Sequence, residues 1–95
     1  MVKVIIERRI MPGLEQEYEQ AAREAMRVSL GVSGFVSGET LIKIGQPDRR
    51  LMITKWRDLR AWKEWHQSEA RARAMEQILP LLTEDETVQV FEAAL

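Results

Sequence analysis

The sequence predicts an α+β fold of the ferredoxin-like type, in which two helices cover one face of a four-stranded antiparallel sheet. Two observations support this prediction. Apolar residues alternate with a period of two in four segments, and in two longer segments they recur every three or four residues. Along the chain these segments follow the order β-α-β-β-α-β, which is the split βαβ arrangement. The 95 residues are enough for a single domain that spans 1–95.

The first half of the chain supplies one strand and one helix. Residues 2–10 alternate as a strand. Pro12 and Gly13 end it, because proline cannot continue the hydrogen-bond ladder and glycine allows a sharp change of direction. A helix is predicted over 14–30, where the apolar residues form one stripe, and Gly31 is predicted to cap its C-terminus.

The second and third strands form a predicted hairpin. Residues 35–44 and 50–57 carry the strand pattern, and the segment 45–48, Gly-Gln-Pro-Asp, has the composition of a turn. Gly38 within the first of these strands predicts either a β-bulge or the close approach of another part of the chain.

The second helical segment is predicted to be broken in two. Asp58 has the side chain of an N-cap and starts the helix, and Ser68 can cap a second helix after a break near Gln67. Pro80 ends the helical pattern. The last strand is predicted over 86–93.

Both sides of the predicted sheet carry apolar residues. An antiparallel sheet with helices on one face is normally polar on the other. Here Phe35 and Leu41 share one side of the second strand, opposite further apolar residues. In the last strand Phe91 lies opposite Val88 and Val90. Such a second apolar face would exceed the roughly 300–600 Å² patch that monomers tolerate. We therefore expect a homodimer that packs sheet to sheet.

The composition excludes several classes of function. The net charge of -1 argues against a dedicated nucleic-acid binder. The chain has no cysteine for a disulfide, a thiolate metal site or a nucleophile, and with one histidine a metal cluster could be built only from carboxylates. Motifs for phosphate loops, dinucleotides and serine nucleophiles are also absent. The N-terminal apolar run is too short for a signal peptide or membrane span, so we expect a cytoplasmic protein.

The segment 54–75 holds the residues best suited to a small-molecule pocket. His66, the only histidine, could remove a phenolic proton because its pKa lies near neutrality; the alternative is a half-buried helix histidine without a role. Trp65 could stack on a planar substrate or could be a core anchor. Trp56 ends a strand and could wall a pocket between sheet and helices, whereas Trp62 falls in the apolar stripe and is expected in the core.

Two consecutive charged residues on the first strand, Glu7 and Arg8, must point to opposite faces. Whichever points inward would be a buried charge that needs a partner or a ligand. Arg8 shares its side with Val4 and Ile6 and is therefore a candidate substrate contact; the alternative is surface placement at the end of the strand.

These features resemble the antibiotic biosynthesis monooxygenase family, whose members are dimeric α+β barrels. The likeness covers nearly the whole chain. Its marks are Pro12-Gly13 before a glutamate-rich helix, Gly34-Phe35 at the second strand, the hairpin turn at 45–48, and TKWRDLRAWKEWHQSE at 54–69. The last of these matches a strand that ends in tryptophan, a helix with a second tryptophan, and a break at serine.

The resemblance implies two functions, and both stay open. One is a small cofactor-independent monooxygenase of a planar aromatic or quinol substrate, bound between the sheet and helices of a homodimer. In it His66 would be the catalytic base, and Trp65, Trp56 and Arg8 would contact the substrate. A carbanion would meet oxygen directly, while the protein supplies orientation and a dry cavity. The other is a non-catalytic dimeric module that binds a small ligand or serves as an accessory subunit.

The haem-degrading branch of the same family fits less well. It has an asparagine late in the first strand, a tryptophan on the second helix and an iron-binding histidine ten positions later. The tryptophan matches Trp65, but Met75 stands at the histidine position, and Ile6 or Glu7 at the asparagine. Methionine can be an axial haem ligand, but we do not expect haem degradation, and no cofactor is predicted.

Overall fold

Four strands pair into one antiparallel sheet, and three helices lie on one of its faces, in a computed structural model that describes residues 1–95. The strands are β1 (Val2–Arg9), β2 (Phe35–Lys43), β3 (Gln46–Trp56) and β4 (Thr87–Glu92), in the spatial order β2-β3-β1-β4. The helices are α1 (Glu15–Ser29), α2 (Leu59–His66) and α3 (Glu69–Ile78), and a 3-10 turn follows at Leu79–Leu81. The predicted ferredoxin-like α+β fold is confirmed. None of the helices combines the length and the apolar character that a membrane crossing requires.

The core lies between the sheet and the helices in two clusters of buried side chains. The larger cluster contains all three tryptophans, with Val2, Val4, Ile6, Met52 and Ala61. The smaller contains Ile10, Tyr18, Ala22, Met75, Ile78 and Leu82. Strand β1 is paired on both sides, with β3 and β4, so its inward side chains form the centre of the core. Alternate residues of β1 are buried along its whole length.

The two predicted helix caps are both present. The Asp58 side chain accepts a hydrogen bond from the Ala61 backbone N–H at 2.8 Å. Ser68 Oγ accepts one from the Arg71 N–H at 3.1 Å, and Gln67 separates α2 from α3. This break matters for the site, because it lets side chains from both helices reach the same part of the sheet.

The hairpin between β2 and β3 turns earlier than predicted. Strand β3 already begins at Gln46, and only Ile44 and Gly45 lie in the turn, so the predicted turn over 45–48 is wrong. Gly45 adopts a φ of 83°, which lets the chain reverse within two residues. The pairing with β2 is irregular near the start of β3, and Pro47 is tolerated there without a ladder N–H.

The predicted glycine cap of α1 is also wrong. Leu30 is the C-cap and is itself helical, and the Gly31 N–H bonds to the Val28 carbonyl at 3.2 Å in a further turn. The left-handed residue comes later, at Gly34, where φ is 90°. A Cβ at Gly34 would lie 2.4 Å from the Cβ of Ala61, so only glycine fits between the second strand and helix α2.

A bulge in β2 changes the face that Phe35 occupies. The register shifts directly after this residue, so its ring lies on the helix face, 5.2 Å from Trp56. Phe35 therefore does not share a side with Leu41, contrary to the prediction. Gly38 marks the close approach that its position predicts, because a Cβ there would lie 2.7 Å from Met26 Sδ.

The face of the sheet without helices is a mixture of apolar and charged side chains. Its apolar members are Ile5, Leu41, Leu51, Ile53 and Phe91, interspersed with Lys3, Glu7, Glu39 and Lys55. Phe91 is 48% exposed. No element of the chain covers this face, and the apolar patch is therefore available to a partner.

Candidate functional site

A cavity of about 30 Å³ lies between the helix face of the sheet and the three helices. It has room for roughly two water molecules, and side chains fill the rest of the space. Three of the four predicted site residues line it, namely Arg8, Trp56 and Trp65. His66 does not. Trp62, which the sequence assigned to the core, also contributes to the lining.

Two nearly parallel tryptophans form one wall of the cavity. Trp56 is fully buried at the end of β3, and its Nε1–H donates to Thr54 Oγ1 at 3.0 Å, which fixes the ring. Trp65 on α2 stacks against it, with ring centroids 6.3 Å apart and planes at 24°. Trp62 meets the Trp56 ring edge-on at 5.8 Å. The aromatic surface that a planar ligand needs is present and oriented.

Three methionines also line the cavity: Met26, Met52 and Met75. Met26 also lines a larger open cleft of about 500 Å³ between α1 and β2, so its side chain separates the cavity from that cleft. Volume alone would favour the cleft, but it lacks the tryptophans and is lined by several charged surface residues. Methionine side chains are unbranched and adaptable, so this wall is the one most easily rearranged.

Arg8 is buried at the floor of the cavity, only 6% exposed, and the alternative of surface placement is wrong. Its guanidinium donates from Nε to Glu86 Oε2 at 2.7 Å and from Nη1 to the Tyr18 hydroxyl at 3.1 Å. A third, weaker contact runs from Nη2 to Met75 Sδ at 3.7 Å. The inward charge has thus found partners.

A second guanidinium shares the same carboxylate. Arg71 on α3 donates from Nη2 to Glu86 Oε1 at 2.6 Å, and it lies 6.0 Å from the Trp62 ring centre. Burial alone would raise the pKa of the Glu86 carboxyl, but the charges and hydrogen bonds of Arg8 and Arg71 outweigh burial and lower it. Glu86 is therefore ionised at neutral pH and bridges the two arginines.

His66 lies outside the cavity, on the exposed side of α2. Its ring stacks on Trp62 at 5.1 Å, so the Trp62 ring, which lines the cavity, separates His66 from it. Burial against that ring lowers the pKa of His66, and the positive charge of Arg71 lowers it further against the opposing effect of Glu86. The imidazole is therefore neutral at pH 7, as a base must be. Its catalytic role stays a prediction.

The sequence reasoning missed Glu86, Arg71 and Tyr18. One signal could have found Glu86: it precedes β4, which pairs with β1, so an inward Arg8 would meet it across the sheet. Nothing in the local pattern singles out Arg71 among the arginines of α3. No group of three or more histidine, aspartate or glutamate side chains is close enough together to hold a metal ion.

The model of the antibiotic biosynthesis monooxygenase family matches residues 1–77. A solved antibiotic biosynthesis monooxygenase shares the fold with a TM-score of 0.89 and 21% identity, covering 99% of both chains. SnoaB, a cofactor-independent oxygenase from Streptomyces nogalater, has a TM-score of 0.86 and 17% identity over 99% of this chain and 94% of its own. A conserved protein from Methanosarcina mazei Go1 has a TM-score of 0.88 and 13% identity over 95% and 89%. The curated proteins contain no match.

Proposed function

The chain belongs to the antibiotic biosynthesis monooxygenase family, and on this premise we propose that it is a small cofactor-independent monooxygenase acting on a planar aromatic or quinol substrate. One observation carries the proposal. The stacked pair of Trp56 and Trp65 lines the cavity between sheet and helices, and the buried Arg8 lies at its floor. A flat ring can lie against the indoles while its oxygen substituents meet a guanidinium.

The substrate would enter where Met26 now closes the cavity. This side chain stands between the cavity and the open cleft, and rotation about its side-chain torsions would join the two. Gly38 gives it a neighbour without a side chain. In the proposal the closed state without ligand is small, and the ligand takes the place of the methionine side chains.

The proposed reaction needs no electrons from a cofactor. A CH₂ group between aromatic rings loses one proton, and the carbanion forms a C–O bond with O₂. The O–O bond of the resulting peroxide then breaks as the second C–H proton leaves, which gives a ketone and water. One oxygen atom enters the product and the substrate supplies all four electrons. The protein contributes orientation and exclusion of bulk water, and His66 is the proposed base.

Oxygen uptake with an anthrone or a quinol tests this function. We expect the wild type to exceed the uncatalysed rate, and Trp65→Phe to lower kcat/KM about tenfold through weaker stacking. If His66 is the base, His66→Ala lowers kcat by roughly 10²-fold or more. Lys63→Ala, on the exposed side of the same helix, is the control and should leave the rate unchanged. A wild-type rate no higher than the uncatalysed background would remove the oxygenase function.

The second candidate is a non-catalytic dimeric module that binds a small ligand. Two observations favour it: the cavity is small, and its lining contains no carboxylate or imidazole that could act as a base. Quenching of tryptophan fluorescence by an aromatic ligand measures binding apart from catalysis, because all three indoles line the cavity. Saturable quenching without oxygen uptake would select this second candidate.

We further propose that the uncovered face of the sheet joins two copies of the chain. Each aliphatic side chain buried there would contribute about 1.5–3 kcal/mol, and the interspersed lysines and glutamates can pair across a two-fold axis. The predicted pocket would then belong to a homodimer whose sheets pack back to back.

Sedimentation at micromolar concentration tests the dimer. We expect the wild type to sediment as a dimer and Phe91→Glu to sediment as a monomer. Val90→Glu is the matched control, because Val90 is 40% exposed on the same strand but points to the helix side. A wild-type monomer, or equal dissociation by both variants, would contradict an interface through this face.

A further inference from the structure

We propose that the cavity binds a planar phenol as its phenolate, with the excess positive charge of Arg8 and Arg71 stabilising the anion. The inference rests on the proposed function, since it names the form in which an aromatic substrate of that cavity is held. It also accounts for the absence of a base among the residues that line the cavity. The lining offers no side chain that could accept a proton at neutral pH, and the proposed base His66 lies outside it behind Trp62, so a bound phenol must be ionised without a base in contact with it.

The direct ion pairs at the cavity provide one carboxylate for two guanidiniums. Two guanidiniums line the cavity and no carboxylate does. Glu86 lies behind them and bonds to both, with its two oxygens 2.7 and 2.6 Å from the nitrogens of Arg8 and Arg71. One carboxylate thus neutralises only one of two cations. Tyr18 meets Arg8 through its neutral hydroxyl, and His66 is neutral at pH 7 and adds no charge.

The two arginines differ in the hydrogen-bond donors that they leave free. All three nitrogens of the Arg8 guanidinium have partners, although the sulfur of Met75 at 3.7 Å is a weak acceptor that a ligand oxygen could replace. Arg71 donates to a protein acceptor only from Nη2. Its other guanidinium nitrogens are not among the buried, unpaired atoms, so they are open to solvent. Of the five N–H donors in each guanidinium, Arg8 uses three and Arg71 uses one, so Arg71 has more unused donors for an oxyanion.

The low polarity of the surroundings makes this charge effective. The other lining residues are apolar, mainly indole rings and methionines, apart from the hydroxyl side chains of Ser29 and Thr54, and such a lining screens charge far less than water does. An opposite charge within about 4–6 Å typically lowers the pKa of an acid by 1–3. By thermodynamic linkage, a shift of about one means that the phenolate binds tenfold more tightly than the phenol. The phenol then loses its proton to solvent, and the arginines favour this ionisation by stabilising the phenolate, so that only the C–H proton of the proposed reaction is left to the base.

Binding of para-nitrophenol measures the shift directly, because only its ionised form absorbs violet light. We expect its pKa to be lower by about one or more in the bound state than in water. The neutral para-nitroanisole should quench tryptophan fluorescence with at least tenfold weaker affinity at neutral pH than the nitrophenolate. Arg71→Gln should abolish both differences, and Arg71→Lys should restore most of the shift by restoring the charge. Arg73→Gln, an exposed arginine on the same helix, is the control.

Each outcome separates the inference from the function on which it rests. If both probes bind equally and the pKa of the bound nitrophenol is unchanged or raised, the anionic ligand is overturned while the aromatic site stands. If the shift occurs but survives in Arg71→Gln, the ligand is bound as an anion but Arg71 does not stabilise it, and the assignment to the arginine pair is overturned. If neither probe quenches the tryptophans in a saturable way, the aromatic site of the proposed function fails, and the inference fails with it.

Discussion

Replacing Glu86 by glutamine is expected to lower the free energy of unfolding by about 3–5 kcal/mol, because it leaves the buried guanidinium of Arg8 and the largely buried one of Arg71 without a counter-charge. The substitution preserves the shape of the side chain, so the loss reports charge rather than packing. The Glu86 side chain is only 11% exposed, and both of its oxygens accept hydrogen bonds from arginines. Chemical denaturation followed by tryptophan fluorescence measures the change.

The same bridge predicts how stability depends on pH. The pKa of Glu86 is lower in the folded chain than the ordinary value of 4.5. Its contribution is therefore fully present above about pH 4.5 and is lost as the pH falls through the lower folded pKa. Wild type should lose stability over that acidic range, and Glu86→Gln should show a shallower dependence there. An unchanged slope would mean that another carboxylate governs acid unfolding.

A matched control lies two residues earlier in the chain. Glu84 is exposed, and its only ion-pair contact is with Arg9 at 3.9 Å. Exposed pairs of this kind contribute about 0–1 kcal/mol, so Glu84→Gln should change the free energy of unfolding by less than about 1 kcal/mol. A loss from Glu86→Gln no larger than that of Glu84→Gln would contradict the bridge as a stabilising element.

The fold could be predicted from the sequence because the patterns that indicate it are local. The alternation of Val2, Val4 and Ile6, and the side chains of Asp58 and Ser68, depend only on residues a few positions away. The errors in the fold are local exceptions to those rules. A bulge after Phe35 placed it on the face opposite to the one that simple alternation along the strand predicts. Gly45 closed the hairpin in fewer residues than the composition of the segment suggested.

The site could be predicted only in part from the sequence, because its central contact joins distant parts of the chain. Arg8 and Glu86 are 78 positions apart, and only the register of β1 with β4 brings them together. The alternation of side chains along β1 did indicate that Arg8 could point inward, but it did not indicate which residue would pair with the guanidinium. The volume of the cavity depends on the rotamers of its methionines and tryptophans, and no pattern in the sequence specifies those.

The arginine bridge connects the stability of the chain with its proposed chemistry. A buried ion pair often contributes little net stability compared with an apolar replacement, so its presence at a cavity calls for another reason. Here the bridge holds two cations at the floor of an aromatic pocket with only one anion to balance them. Loss of Glu86 should therefore destabilise the fold and increase the positive charge at the cavity.

Substituting Gly34 by alanine is the second change with a large expected effect, about 2–5 kcal/mol of lost stability. Two costs add here. A φ of 90° is unfavourable for any residue with a Cβ, and the added Cβ would lie 2.4 Å from the Cβ of Ala61, which forces the strand and helix α2 apart. The Gly34 carbonyl also accepts the Arg57 N–H at 2.7 Å, so displacement would weaken the junction between β3 and α2.

Two further variants separate the two costs. Gly45→Ala faces a similar φ of 83° with no atom within 4 Å of the new Cβ, so it should lose only about 1–2 kcal/mol. Ala61→Gly removes the clashing atom, and the nearest remaining one, the Ala61 Cα, lies 3.7 Å away, an ordinary contact. Although Ala61→Gly alone should cost about 1 kcal/mol in a helix, it should partly rescue Gly34→Ala. Strictly additive losses in the double variant would show that backbone strain, and not contact with α2, requires glycine at this position.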